Sequence, residues 1–227
     1  LLMNNKKKLK AHGEYPEFVY RTFDKKEHAE EFVNCGKFRL GHLRTYKAIE
    51  DLSRKDVTEG TAEFHVPDDV TSVRIDDDGD VQNINTKPGL IRTRSELNNP
   101  VYIFCTSMSG VEMGHISNEF GKYIVRISNP RKLAEDITSF LENMPHKFAG
   151  GIEGLTVKYN KGHIFDKDMG NIERTALSYS QKPEKFSPDN EFRFVSIIMD
   201  RPSIQYNEDY LYINIGNKLE YAEIIEL

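Results

Sequence analysis

The sequence predicts an α+β fold built mainly of antiparallel β-sheets with a few flanking helices. Segments with the two-residue alternation of half-buried strands occur along most of the chain, and they outnumber segments with helical periodicity. In the second half these strand-like segments follow one another with few helices between them, unlike the regular strand–helix alternation of a parallel sheet. No internal repeat and no low-complexity linker divides the chain.

A strand–helix–strand unit is predicted near the N-terminus. Residues 18–23 (FVYRTF) form a β-rich run that passes directly into a helix. Asp24 and Glu27 have the spacing of a capping box at the start of this helix, and Gly36 is suited to ending it. Residues 37–43 then predict the second strand.

The rest of the chain is predicted to be mostly β-structure. Residues 44–60 carry polar side chains at uneven spacing, which predicts a short helix and an exposed loop. Alternating segments and a DDDGD turn at 61–86 predict an antiparallel meander. Asn129 and Pro130 are expected to open a helix, and another is expected around 167–179. Further strands are predicted at 101–107, 122–128, 152–159, 191–199, 209–215 and 222–227.

Length and composition predict one domain. A chain of 227 residues has the length of a single mixed domain, so we expect a flexible basic lead at 1–17 and the domain at 18–227. No apolar run reaches the ~18 residues of a membrane span, and the first ten residues lack a signal-peptide core, so we expect a cytoplasmic protein with no membrane partner. A formal charge of -5 disfavours broad binding to nucleic-acid backbones but leaves room for a local basic groove.

Several classes of chemistry lack their sequence signals. Cys35 and Cys105 are too few for a disulfide scaffold or a thiolate metal site, and the seven histidines are scattered, so no metal site is predicted. The sequence contains no P-loop, no GxGxxG turn, no GxSxG elbow and no HExxH pair. Kinase, dinucleotide-dehydrogenase, esterase and zinc-protease functions are therefore disfavoured.

Polar residues do interrupt three predicted strands. Arg21 lies in the first strand, Thr106 and Ser107 end the strand at 101–107, and Glu191 begins the strand at 191–199. Each has an ordinary explanation, since an arginine or glutamate can face solvent and Ser or Thr often satisfies a turn.

The strand that begins at Glu191 alternates in a simple way. Phe192 and Phe194 are expected to face the core and Arg193 to face outward. Glu191 is then the first residue of a core strand, where a carboxylate must either reach solvent or make specific polar interactions.

In chain order these residues resemble the Arg-Ser-Glu pattern of ADP-ribosyltransferases, which split NAD and transfer ADP-ribose. The resemblance implies an ADP-ribosyltransferase-like fold and NAD as a substrate without a metal. The first strand would hold the NAD phosphates or ribose, the Ser/Thr strand would support the nicotinamide pocket, and Glu191 would bind the nicotinamide-ribose hydroxyl. Because glycosidic cleavage builds positive charge on the ribose, a nearby carboxylate stabilises the transition state. The implied catalytic residues are Glu191, Arg21 and Ser107, and the implied NAD-binding residues are Tyr20, Arg21, Thr22, Tyr46, Thr106 and Ser107.

A second resemblance covers more of the chain. The succession FRLGHLRTYKAIEDLSRKDVTEG, PVYIFCTSMS, FGKYIVRIS and KPEKFSPDNEFRFV is similar to an uncharacterised bacterial family. Some relatives of this kind are similar to toxins of phage-defence toxin–antitoxin systems that ADP-ribosylate messenger RNA. This implies an RNA acceptor and an antitoxin partner.

Two departures bear on the acceptor. Asn190 stands where that family often has an acid, and no second Glu lies two residues before Glu191, as it does in arginine-modifying transferases. Nucleic-acid acceptors are favoured accordingly, and modification of a protein remains an alternative. The preceding loop, SQKPEKFSPDN, carries Lys182, Lys185 and Phe186, a set suited to a semi-rigid, partly basic contact surface that recognises the target.

An acidic segment supports different alternatives. Its four acids form either a solvated face or a functional cluster that binds the adenosine ribose or deprotonates an acceptor. The same acids would instead hold Mg²⁺ in a nuclease or nucleotide hydrolase. Besides a transferase and a metal-dependent hydrolase, the third class of function considered is a binding module without catalysis. The four acids are Glu50, Asp51, Asp56 and Glu59.

Overall fold

The computed structural model has an α+β fold with a mainly antiparallel sheet and few helices, as predicted. It describes residues 8–49, 59–65, 72–75, 81–84, 92–96, 99–161, 171–200 and 208–225. The described strands are β1 (His12–Gly13), β2 (Val19–Phe23), β3 (Lys37–His42), β4 (Thr61–His65), β5 (Ser72–Ile75), β6 (Val81–Ile84), β7 (Arg92–Glu96), β8 (Val101–Met108), β9 (Tyr123–Ile127), β10 (Glu153–Thr156), β11 (Glu191–Ile197), β12 (Tyr210–Asn214) and β13 (Ala222–Ile225).

The described helices lie between these strands. They are α1 (Lys26–Cys35), α2 (Leu43–Ile49), α3 (Met113–Phe120), α4 (Pro130–Leu141), α5 (Asn171–Ser180) and a 3₁₀ helix at Glu184–Asp189. None of the helices within the described ranges is long and apolar enough to cross a membrane.

Local sequence explains where α1 and α4 begin and end. Gly36 ends α1 in the left-handed conformation, with φ 60°, and its N–H is bonded to the carbonyl of Phe32. Asn129 caps α4 by accepting a hydrogen bond from the backbone of Lys132, at 3.0 Å. The capping box predicted from Asp24 is wrong, because α1 begins one residue later with an extended Lys25 at its N-cap and no side-chain cap.

Nine of the described strands form the main sheet, in which β8 is forked. The path β1-β10-β11-β8-β2-β9-β13 runs through β8, and β3 pairs with a different part of β8 and carries β12 on its other side. Near its end β8 pairs with β2, with Ser107 opposite Tyr20. Near its start it pairs with β3, with Ile103 opposite Gly41. The sheet therefore splits beside the middle of β8.

Apolar side chains fill both sides of the sheet. On one side α1 and α4 cover a core that includes Phe32, Leu133 and the aromatic rings of Phe104, Phe192 and Phe194. On the other side a smaller cluster is formed by α2, α5 and the facing residues of β8 and β11, among them Leu43, Ile103, Tyr179 and Val195.

The predicted elements differ from the observed ones at three places. The segment GVEMGHISNEFG contains a helix, α3, that was not predicted. The meander expected at 61–86 is partly wrong: β5 pairs with β6, whereas β4 pairs with β7, a strand that was not predicted. Within the expected lead at 1–17, β1 pairs in parallel with β10, so His12 and Gly13 join the sheet, and residues 1–7 lie outside the described part.

Candidate functional site

A cleft of about 470 Å³ opens where the sheet forks. Every residue that the sequence analysis singled out as catalytic or NAD-binding lines it: Tyr20, Arg21, Thr22, Tyr46, Thr106, Ser107 and Glu191. The remaining lining residues were not assigned to an NAD site, except Glu59, which had been considered as a ribose ligand. They are Asp24, Arg39, Gly41, Thr45, Glu59, Ile103, Cys105, Glu119, Phe120, Lys182, Asp189, Arg193 and Tyr210.

Arg21 occupies the fork itself. Cys105 lies between the stretch of β8 paired with β2 and the stretch paired with β3. Arg21 Nη1 donates a hydrogen bond to the Cys105 carbonyl at 2.6 Å, and its guanidinium carbon lies 4.7 Å from the centre of the Phe104 ring. The buried Arg21 Nε has no hydrogen-bond partner among the described residues. Arg21 therefore fills the gap between the two branches, with its Nε unpaired among the described residues.

The register of β8 and β11 decides which side chains share the floor of the cleft. Glu191 is paired with Ser107 and Arg193 with Cys105, so these four side chains lie on one face of the sheet. Tyr20 of β2 belongs to the same face because it is paired with Ser107.

Thr106 differs from its neighbour Ser107. It is paired with Phe192 on the opposite face, and its buried hydroxyl donates a hydrogen bond to the Phe192 carbonyl at 2.8 Å. Thr106 thus supports the strand pair beneath the cleft.

The turn before β11 fixes the position of Glu191. Asn190 follows the 3₁₀ helix in the left-handed conformation, with φ 44°, which asparagine tolerates better than most residues. The Asn190 side chain donates a hydrogen bond to the Ser109 carbonyl at 2.9 Å. The Glu191 N–H donates to the Tyr159 hydroxyl at 2.7 Å. The carboxylate is therefore set at the mouth of a core strand by bonds on both sides of the turn.

Four buried charged side chains surround this position. Arg193 Nε donates to Glu191 Oε1 at 2.7 Å, and Lys182 Nζ lies 2.9 Å from Glu191 Oε2. Arg193 also donates from Nη1 and Nη2 to the two oxygens of Glu59, at 2.8 and 3.1 Å. We call Glu59, Lys182, Glu191 and Arg193 the charge network; each is less than a tenth exposed, and two negative and two positive charges balance.

Electrostatics keeps the network ionised. Burial by itself would raise the pKa of Glu191, but the charges of Arg193 and then Lys182 outweigh it, and the net pKa is well below its usual value. The same competition lowers the pKa of Glu59. Burial would lower the pKa of Lys182, yet Glu191 and Glu59 raise it above its usual value. Both carboxylates are therefore charged at neutral pH, and so is the lysine.

Cys105 completes the floor as a protonated thiol. Burial, followed by the negative charge of Glu191, raises its pKa above the usual value. A protonated thiol is a weak nucleophile, so Cys105 is expected to line the floor without attacking a substrate.

Two expectations about the neighbourhood of Glu191 are wrong. Arg193 does not face outward to solvent; it is 1% exposed, because α5 and the chain at Glu59 cover that face and make the sheet buried on both sides. Lys182 does not belong to an exposed contact loop; it is 7% exposed and bonded to Glu191. Lys185 and Phe186 remain at the outer side of this segment, with the lysine ammonium 4.5 Å from the centre of the ring.

Tyr46 forms one wall of the cleft because the facing residue is glycine. A Cβ on Gly41 would lie 2.5 Å from Tyr46 Cε2 and 2.8 Å from its hydroxyl oxygen. Burial raises the pKa of the Tyr46 phenol above its usual value, so it stays a neutral ring and donor. Tyr20, on the other side, packs against Phe18 with ring centres 5.4 Å apart.

Two further polar residues of the cleft lining, Asp189 and Arg39, each contact a neighbouring side chain. His115 Nε2 lies 3.0 Å from Asp189 Oδ1, and Asp189 is 8% exposed. The guanidinium carbon of Arg39 lies 4.0 Å from the centre of the Tyr210 ring.

One member of the acidic segment, Glu59, belongs to the charge network. Its carboxylate is bound to Arg193, which is consistent with neither a solvated face nor an unengaged metal ligand at this residue. Glu50, Asp51 and Asp56 lie outside the described residues. In the described part of the chain, no group of three or more His, Cys, Asp and Glu residues could hold a metal ion.

Sequence reasoning missed Arg193 and Lys182 as members of the site. Arg193 carried a usable signal, since a residue two positions after Glu191 on the same strand must share its face. Lys182 carried none, because nothing in a Lys-Pro pair after a helix shows that its ammonium is buried. Comparison with protein families, curated proteins and solved structures gives no match for this chain.

Proposed function

We propose that this protein is an NAD-dependent ADP-ribosyltransferase with an ADP-ribosyltransferase-like fold, and that RNA is its acceptor. One observation carries the proposal: a buried, ionised Glu191 lies in a single cleft together with the six other residues of the expected NAD site. A buried carboxylate held ionised beside an open cleft is typical of functional sites, although structural ion networks share this feature.

The reaction would proceed by loss of nicotinamide. The bond between the ribose C1′ and the nicotinamide nitrogen breaks, and its electron pair leaves with the neutral nicotinamide. The positive charge that develops on the ribose is stabilised by the Glu191 carboxylate, which accepts a hydrogen bond from a ribose hydroxyl. An acceptor oxygen or nitrogen then bonds to C1′ and releases its proton. The sequence of steps requires no metal.

The charge network suits this role in a particular way. Arg193 holds Oε1 of Glu191 at 2.7 Å and is itself held by Glu59, so the carboxylate is fixed before substrate enters. Lys182 reaches Oε2 from the other side, at 2.9 Å. A ribose hydroxyl would compete with Lys182 for Oε2, and the displaced ammonium would be available to a phosphate oxygen.

The rest of the cleft offers complementary groups. A volume of about 470 Å³ is within the ~300–1,000 Å³ of typical ligand pockets. Arg21, a cation in the lining of the cleft, would bind the diphosphate or ribose, and the rings of Tyr20 and Tyr46 would contact the nicotinamide or adenine. Ser107 stands opposite Glu191 and would orient it.

A role as a defence toxin extends this proposal. Such an enzyme would act in the cytoplasm, where NAD and messenger RNA are both present, and would need a partner that inhibits it. Sheet edges and the segment with Lys185 and Phe186 are surfaces on which an antitoxin would bind.

A binding module without catalysis is the second candidate. The observation that favours it is that both Glu191 oxygens already have cationic partners, which reduces the negative potential that a developing ribose cation would meet. This candidate binds NAD or a related nucleotide without releasing nicotinamide.

The test is incubation of the purified protein with NAD labelled in the adenylate phosphate, separately with RNA, DNA and a cell lysate. Label transfer and nicotinamide release are both recorded. Transfer to RNA is expected, and it should fall by about 10²–10³-fold in Glu191→Gln. Transfer in the presence of EDTA separates this reaction from metal-dependent hydrolysis of nucleotides or RNA.

The variant needs two controls because it disturbs a buried charge balance. Glu191→Gln leaves one excess positive charge, so the double variant Glu191→Gln/Lys182→Met restores neutrality and should remain equally inactive. Glu220→Gln makes the same chemical change at an exposed pair with Lys218 and should keep full activity. NAD binding by the wild type without nicotinamide release in any mixture would favour the binding module.

A further inference from the structure

The β3–β12 ribbon presents an unusual outer face. Tyr210, Tyr212 and Asn214 are paired with Gly41, Arg39 and Lys37, so these side chains share one face of the ribbon. The alternate residues Phe38, Leu40, Leu211 and Ile213 point the other way and pack in the main core. We call Lys37, Arg39, Tyr210, Tyr212 and Asn214 the ribbon face.

Packing does not explain the aromatic residues of this face. Tyr212 is 68% exposed, the most exposed of the large apolar side chains in the described part of the chain. Its ring centre lies 6.3 Å from that of Tyr210, and the Arg39 guanidinium stacks over Tyr210. Lys37 and Arg39 are both exposed. Two neighbouring rings beside two cations form a mixed aromatic and basic surface of the kind that binds the bases and phosphates of single strands.

The ribbon face is continuous with the cleft. Arg39, Gly41 and Tyr210 line the cleft, and Tyr212, Lys37 and Asn214 extend the same face outward from it. A long ligand lying on the ribbon would therefore deliver one end to the cleft that contains Glu191.

We propose that the ribbon face binds single-stranded nucleic acid and guides it into the cleft. Exposed rings on a sheet stack unpaired bases, and neighbouring Lys and Arg side chains bind the backbone phosphates. In a duplex the base faces are already stacked, so a flat aromatic ribbon fits a single strand. Because the chain carries a formal charge of -5, phosphate binding has to come from a local group of cations, and the exposed Lys37 and Arg39 supply two of them on the ribbon. The role of the ribbon face in presenting an acceptor rests on the proposed transferase function, whereas its binding of a single strand does not.

Binding is measured without NAD, by fluorescence anisotropy of a labelled 12-nucleotide RNA, the matching DNA strand and the matching RNA duplex. The wild type should bind at least one of the two single strands more tightly than the duplex. Comparing its affinities for the RNA strand and the DNA strand shows which sugar is preferred. Tyr212→Ser should weaken binding by about tenfold, as expected for loss of one stacked base. Arg39→Gln should also weaken binding. It should reduce the slope of the logarithm of the binding constant against the logarithm of the salt concentration by about 0.7, the value for one phosphate of a single strand.

Matched controls separate this proposal from folding and from catalysis. Met199→Ser, at another residue that is 52% exposed, and Lys132→Gln, at an exposed lysine of α4 on the other side of the sheet, should leave binding unchanged. Nicotinamide release from NAD without nucleic acid should be the same in Tyr212→Ser and in the wild type. Unchanged affinity in Tyr212→Ser, equal binding of the duplex, or no binding by the wild type would each overturn the proposal. NAD turnover without strand binding would reject only the proposed role of the ribbon face. Strand binding without NAD turnover would reject only the proposed transferase function.

Discussion

Removal of one carboxylate from the charge network provides a strong test of its energetics. Glu59 is 1% exposed and accepts hydrogen bonds from both terminal nitrogens of Arg193. Glu59→Gln keeps the size of the side chain but leaves Arg193 and Lys182 with only Glu191, an excess of one positive charge in a buried site. Breaking a buried ion pair from one side costs about 3–5 kcal/mol.

This cost is large relative to the stability of a typical domain, about 5–15 kcal/mol. For a chain of this length it corresponds to a fall in melting temperature of about 6–20 °C. The free energy of unfolding is measured by urea denaturation. An unchanged slope of this free energy against urea concentration would show that the variant exposes the same amount of surface on unfolding as the wild type.

A charge-compensated variant makes the reasoning refutable. Glu59→Gln/Lys182→Met retains the bonded Glu191–Arg193 pair and restores neutrality, so we expect it to be more stable than Glu59→Gln by about 1 kcal/mol or more. Glu220→Gln, at an exposed pair with Lys218, should change stability by less than about 0.5 kcal/mol. A Glu59→Gln variant within 1 kcal/mol of the wild type, or additive effects in the double variant, would show that the buried charges are not coupled as the distances imply.

Three further predictions concern the walls of the cleft and its supports. Gly41→Ala should displace the Tyr46 ring and, as an overpacked site, cost about 1–3 kcal/mol; calorimetry should also show weaker NAD binding, and unaltered binding would argue against Tyr46 as a wall of the NAD site. Thr106→Val removes the buried hydrogen bond to Phe192 and should cost about 1 kcal/mol in urea unfolding, whereas a neutral effect would mean that the bond contributes nothing. Burial, followed by the charge of Arg44, lowers the pKa of His42 from 6.5 to about 4, so between these values the unfolded chain binds a proton that the native chain does not, and lowering the pH from 6.5 to 4 should reduce stability by up to about 3 kcal/mol. His42→Asn should abolish that slope while leaving the loss of stability below pH 4.5 that comes from protonation of the paired carboxylates, and a slope that persists in the variant would assign it elsewhere.

Local patterns were sufficient for most of the strands and for α1, α4 and α5. They failed for α3 because a segment with three glycines and a mixed polar sequence carries weak helical periodicity, and Ile116 is its buried residue. They failed for the pairing of β4 with β7 because the partner lies 31 residues further along the chain, and alternation predicts a strand without naming its partner.

The site shows the same division. Arg21, Ser107 and Glu191 were found because each is a polar residue that interrupts an apolar strand, a feature visible along the chain. Their convergence depends on the fork of β8, which is a property of strand pairing.

The sequence alone determined the α+β class, the strands that carry the site and the residue types available for chemistry, since periodicity and side-chain polarity are local properties. Only the tertiary structure decided that Arg193 is buried, that Lys182 meets Glu191 and that Glu59 reaches Arg193 across 134 positions of the chain. The physical reason is that a charged side chain acquires its protonation state and its partners from the whole of its surroundings. Those surroundings form when distant segments cover both faces of one sheet.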